Sequence, residues 1–184
     1  MPPYPPAADR MMYVRAWKRD RPLSKLARAE QLMRHAHRAL SPDRSSESND
    51  ALEVLAGGHA WCWGYAFVLG EMLRREGYDV RWISMMAESH PHGRGDRRVD
   101  SHEVVEITVD GGLRRVLDPM SGVSFESSID ELLARPEAAD IERSRDERYV
   151  ARDYDLYSTS FWYSRVTKIA VRSDPRQEAR FVAV

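Results

Sequence analysis

Two hydrophobic periods divide this chain. Leu23, Leu26, Leu32, Met33, Ala36 and Leu40 recur at helical spacing behind Pro22 and predict an amphipathic helix over about 22–40. The polar, turn-rich stretch Ser41 to Asp50 reads as a surface loop, with Asn49 or Asp50 capping a short helix through Leu55. Cys62, Ala66, Leu69 and Leu73 then fall at i, i+4, i+7 and i+11, giving a second core-facing helix that Gly77 stops. Beyond it the period shortens to two. Tyr78 to Met86 reads as a strand, and Glu103 to Val109 and Leu113 to Asp118 flank the turn signal Asp110-Gly111-Gly112 as a β-hairpin. Ser128-Ile129-Asp130-Glu131 has the capping-box form for a short helix ending before Pro136. Leu156 to Val171 mixes aromatics with alternation and predicts a closing strand or two of an antiparallel sheet, while Tyr13 to Trp17 reads as an edge strand and the charged run 137–153 as exposed.

Helices followed by antiparallel strands argue for an α+β fold. At 184 residues, 42% of them hydrophobic, the chain is expected to form one domain over 1–184, with a helix at about 22–40, a core at about 50–125 and C-terminal strands at about 156–171. Basic and acidic side chains balance to a net charge of −1, which argues against nucleic acid or an anionic membrane as partner. The arginine excess over lysine (only Lys18, Lys25 and Lys168) reads as compositional bias. One cysteine excludes an internal disulfide, and no apolar run is long enough for a bilayer, so a reducing cytoplasm is the expected setting.

That cysteine changes the picture. A lone Cys usually fills core space, but Cys62 follows Gly57-Gly58-His59-Ala60-Trp61 at the start of a helix, where the dipole and unpaired N–H groups favour a thiolate. His102 is expected to open the strand that continues through Glu103, and Asp118 to end the next one. A three-residue loop sets Val109 opposite Leu113 and Asp118 opposite Val104, which puts Asp118 on the face of His102, one diagonal step away. Each partner alone has an ordinary reading: His102 as a surface histidine, Asp118 as a turn residue before Pro119. Together they supply a nucleophile, a base and a group that orients the base.

Cys62 at a helix start, His102 with Val104, Val105 and Glu106 on a strand, and Asp118-Pro119 on the next resemble, over about residues 50–125, the transglutaminase-like superfamily of papain-type cysteine enzymes. The resemblance implies a helix carrying the Cys packed on an antiparallel β-sheet carrying His and Asp. It also implies Cys62 as nucleophile, His102 as general base and acid, and Asp118 as its partner. Glu103 directly after His102 departs from the family's frequent aromatic, and no glutamine precedes Cys62 to serve as an oxyanion donor. The Cys62 backbone N–H is the default donor, with Trp61 or an N-terminal residue as the second. Trp61, Trp63 and Tyr65 are candidate walls of a substrate channel, Trp61 foremost. The Cys-His-Asp order is also similar to arylamine N-acetyltransferases, but the chain lacks their nucleophile loop and their Val-Gly after the Asp.

The remaining histidines add no metal or cofactor site. His35 and His37, two apart on a helix, point to different faces and read as solvated; His90 and His92 sit in a Gly- and Arg-rich loop, Glu88 to Ser101, placed as a lid beside the site. The expected chemistry is acyl transfer or amide hydrolysis through a thioester, from a peptide, protein or small acyl donor to an amine or water; the resemblance implies a glutamine side chain as one donor. A catalytically silent binding domain is the reading from another class, and acetyl transfer from acetyl-CoA a third.

Overall fold

The computed structural model describes residues 23–42, 48–88, 99–141, 143–145 and 160–184. The expected strand at Tyr13 to Trp17, and His90 and His92 of the expected lid, lie outside them.

Helix α1 (Lys25–Ala39) starts where Ser24 accepts from the Ala27 amide, and its apolar stripe buries Ala29, Leu32, Met33, Ala36 and Ala39. Asp50 caps α2 (Ala51–Gly57) by accepting from the amides of Leu52 and Glu53, as the polar loop before it predicts. Cys62 is the first residue of α3 (Cys62–Arg75), whose stripe through Ala66, Leu69 and Leu73 is wholly buried.

Among the described residues, seven strands form one antiparallel sheet in the order β5-β4-β3-β2-β1-β6-β7. They are β1 (Asp79–Glu88), β2 (Val99–Thr108), β3 (Arg114–Asp118), β4 (Val123–Phe125), β5 (Arg143–Arg145), β6 (Val166–Arg172) and β7 (Val182–Ala183). The hairpin register agrees with the expected one: β2 and β3 pair from Thr108 with Arg114 to Val105 with Leu117, and Val109 donates to the Leu113 carbonyl at 2.8 Å around the turn at Asp110–Gly112. Short helices α4 (Ile129–Ala134), α5 (Ala138–Ile141) and α6 (Ser160–Tyr163) complete the fold. Ser128 and Glu131 close the capping box of α4. The architecture is α+β, and no helix among the described residues is long and apolar enough to cross a membrane.

Strand alternation makes two cores. Trp82, Val105, Ile107 and Leu117 face α1, α2 and α3; Ile83, Met85, Val104 and Val116 face a cluster that includes Ile129, Leu132, Ala139, Trp162 and Tyr163. Four expectations are corrected here. Phe161, Trp162 and Tyr163 belong to a helical turn rather than a strand, because turning lets Trp162 and Tyr163 both pack under the sheet; among the described residues of that stretch the strand is Val166–Arg172, and residues 156–159 lie outside them. In the charged run, Ala138 and Ala139 are buried, their methyls filling the second core. Glu88 and residues 99–101 are strand rather than loop, since β1 and β2 stay paired as far as Glu88 with Val99. His102 therefore lies inside β2 instead of opening it.

One close approach seats α3 on the sheet. The Trp82 indole lies so near Gly70 that a Cβ there would fall 2.3 Å from ring atoms, and the same indole donates from Nε1 to the Ala66 carbonyl at 3.0 Å. Gly70→Ala is expected to lower the unfolding free energy by about 1–3 kcal/mol, the usual cost of overpacking a filled core. Denaturant unfolding measures it; unchanged stability would refute the tight contact.

Candidate active site

The chain around Cys62 is stitched to the end of α1. Ser41 donates its amide to the Gly58 carbonyl at 2.9 Å, Ala60 donates to the Ser41 carbonyl at 3.0 Å, and the Tyr65 hydroxyl donates to the Leu40 carbonyl at 2.7 Å. These bonds fix the approach to the first turn of α3. Trp61 at its N-cap makes no side-chain cap bond, so among the described residues the first turn lacks the capping oxygen that Asp50 gives α2. Cys62 is half-buried against the first core.

His102 and Asp118 come from the sheet. Both share the parity of Val104 and Val116, as the hairpin register requires, and both are buried, at 1% and 0% exposure. His102 Nε2 meets Asp118 Oδ2 at 2.8 Å. Asp118 Oδ1 accepts from the amides of Met120 and Ser121, each at 3.1 Å, so the carboxylate is aimed by the turn that follows it. Cys62 is the other group that acts on the imidazole, and with Nε2 on Asp118 the ring nitrogen left to it is Nδ1. Pairing between β2 and β3 ends at Val105 with Leu117. His102 lies past that point, where a helix seated on one face of the sheet meets an imidazole whose parity belongs to the other.

Burial alone would drive His102 toward the neutral form. The charge and hydrogen bond of Asp118, joined by those of Cys62, outweigh it and push the imidazole up to about 10. The structure brings His102 and Asp118 together, as the hairpin parity implied, with Cys62 acting on the same imidazole. The aromatic candidates separate. Trp61 is 41% exposed beside Cys62, and Trp63 is half-buried and stacked on Phe67. Tyr65 is 1% exposed and hydrogen-bonded to Leu40, which corrects its expected place on a channel wall: one helical turn past the entrance, the residue already faces the core.

Three neighbours went unread in the sequence. The Trp162 ring meets His102 edge-on, with centroids 6.2 Å apart, closing the second core over the imidazole. Behind it the Tyr163 hydroxyl is buried without a hydrogen-bond partner among the described residues, and burial, then the nearby Asp118 charge, hold the phenol well above its usual range. On the opposite face of β2, Glu103 accepts from Ser84 at 2.6 Å and from Arg172 at 2.9 Å. Its carboxyl is nonetheless pushed up by burial, against the pull of those two donors. His37, expected to be solvated, is 6% exposed and meets the Pro119 carbonyl; only the fold brings α1 against that turn. His35 is partly buried, and burial, then the Arg38 charge, lower its pKa. Among the described residues no group of three or more His, Cys, Asp and Glu side chains is placed to hold a metal.

The His102 proton has a consequence for stability. The folded protein keeps it up to about pH 10, whereas an unperturbed histidine releases it near 6.5. Between those values the folded state binds the extra proton, so the stabilisation, complete below 6.5, is lost as pH rises through the window. Urea unfolding at pH 6 and pH 10 is expected to give lower stability at pH 10, with a smaller difference in Asp118→Asn. The same pH difference in both proteins would contradict the assignment.

No curated protein matches the chain. Two solved structures of Legionella pneumophila LapG, one of them EGTA-treated, align with 67% of this chain and 83% of theirs at 12% identity, with a TM-score of 0.39, a likeness too slight to speak for activity. The sequence model of the transglutaminase-like superfamily matches residues 13–119, more than half of the chain and a span that contains Cys62, His102 and Asp118. With that match, the chain belongs to the transglutaminase-like superfamily and carries the general fold of its cysteine-dependent enzymes.

Proposed function

We propose that the protein transfers acyl groups through a thioester on Cys62. With the proton held on the His102 imidazolium, the Cys62 thiolate attacks the carbonyl carbon of an amide or thioester donor. The tetrahedral intermediate then collapses, the bond to the leaving amine or thiol breaks, and His102 returns the proton to it. Water or an amine next gives its proton to His102 and attacks the thioester, releasing an acid or a new amide together with the Cys62 thiolate. Asp118 holds the imidazole in one orientation and balances its charge throughout. The observation that supports this reading most is a half-buried thiol whose electrostatic neighbour is an imidazole itself buried against Asp118.

The uncapped first turn of α3 favours the Cys62 amide as an oxyanion donor. Trp61 is the wall a donor meets first, because it alone of the three aromatics stands substantially in solvent next to the thiol. A flat, exposed indole suits a peptide, protein or small acyl donor better than a deep ligand pocket does. A reducing compartment suits the thiol.

The test is the alkylation rate of Cys62 by iodoacetamide between pH 6 and 7, read as adduct mass. Wild type is expected to react at least about tenfold faster than His102→Ala. With an acyl donor that turns over, Asp118→Asn is expected to lose about 10²–10⁴-fold in kcat. Equal alkylation rates in wild type and His102→Ala would refute the proposal and leave a binding domain on this fold.

A further inference from the structure

His37 stands outside the chemistry, yet it touches the turn that aims Asp118. Its Nδ1 lies 3.1 Å from the Pro119 carbonyl in a buried contact. A carbonyl oxygen only accepts, so Nδ1 carries the proton and donates it. The turn that follows has little freedom of its own: Asp118 Oδ1 holds the amides of Met120 and Ser121, and Gly122 closes it at φ +69°, a backbone conformation that side-chain-bearing residues rarely adopt. The His37 ring fills the space beside Gly122, where a Cβ would meet ring atoms at 3.1–3.2 Å. A second bond from the same helix, Ser124 Oγ donating to Glu30 Oε1 at 2.7 Å, secures β4 just past the turn.

The two ends of the candidate site therefore refer to one helix. The last turn of α1 and the residues after it hold the loop before Cys62 through Leu40 and Ser41, and His37, three residues earlier than Leu40, holds the turn after Asp118. We infer that His37 is a positioning residue for the proposed acyl transfer: by holding the Pro119 carbonyl it keeps the Asp118 carboxylate aimed at His102 Nε2. The inference rests on the proposed reaction for its consequence in rate, but the geometry it asserts is measurable without turnover.

The experiment follows the His102 ring in protein labelled with ¹⁵N-histidine, titrated by NMR in wild type, His37→Phe and His37→Asn. Phenylalanine keeps the ring volume and loses the donor; asparagine places an N–H donor close to where Nδ1 stands. The His102 midpoint is expected to fall by about one pH unit in His37→Phe, a tenfold loss of proton affinity, and to return toward the wild-type value in His37→Asn. Cys62 alkylation is expected to slow in parallel in His37→Phe. A His37 of structural importance only would lower the melting temperature and leave the midpoint unmoved, and that result would overturn the inference. Should His37→Phe fail to fold, His37→Leu serves, since it removes the donor with a smaller side chain; an unmoved midpoint there would equally overturn it. If the midpoint shifts but Cys62 reacts no faster than in His102→Ala, the positioning stands and the acyl-transfer reading falls.

Discussion

A charged imidazole inside a protein is tolerable only beside a carboxylate, and much of this structure serves that one pair. His102 and Asp118 are both removed from water, and the charge of each offsets the burial of the other. A carboxylate facing an imidazole from the next strand requires the two to share a face, which a hairpin of the right loop length supplies. It also requires the free carboxylate oxygen to be satisfied, which the Met120 and Ser121 amides do. Water must be kept from the bond as well, and Trp162 closes one side of it. The thiol is the last part to be added.

That ordering explains how the site draws on two layers. Cys62 belongs to a helix packed on one core, while His102 and Asp118 belong by parity to the other. They meet where β3 leaves β2, because a continued pairing would put a strand where the thiol has to pass. The proposed acyl chemistry would take place beside the exposed Trp61, the residue before Cys62.

The hairpin and its register were legible because they depend on local rules: a turn signal between two alternating runs fixes which residues oppose each other, and so which face Asp118 takes. The Cys62 helix was legible for the same reason, its stripe repeating over three turns. What stayed hidden depends on contacts distant in sequence. His37 looks like any polar helix residue until α1 is laid against the turn at Pro119, 82 residues on. Trp162 and Tyr163 carry strand-favouring side chains, and tertiary packing overrode that preference in favour of a turn that buries both. Arg172 meets Ser84 and Glu103 only because β6 pairs with β1, a long-range choice no short window reveals.

The contact between Gly70 and Trp82 has a further meaning as a fulcrum. It lies eight residues, or about 12 Å of helix axis, from Cys62. A tilt of about five degrees around that point sweeps the helix end through about 1 Å, a displacement that is enough to cost an enzyme about a hundredfold in rate. The bulk of an indole in the core and the reach of a sulfur atom at the surface are thus one mechanical quantity, seen at two ends of the same lever.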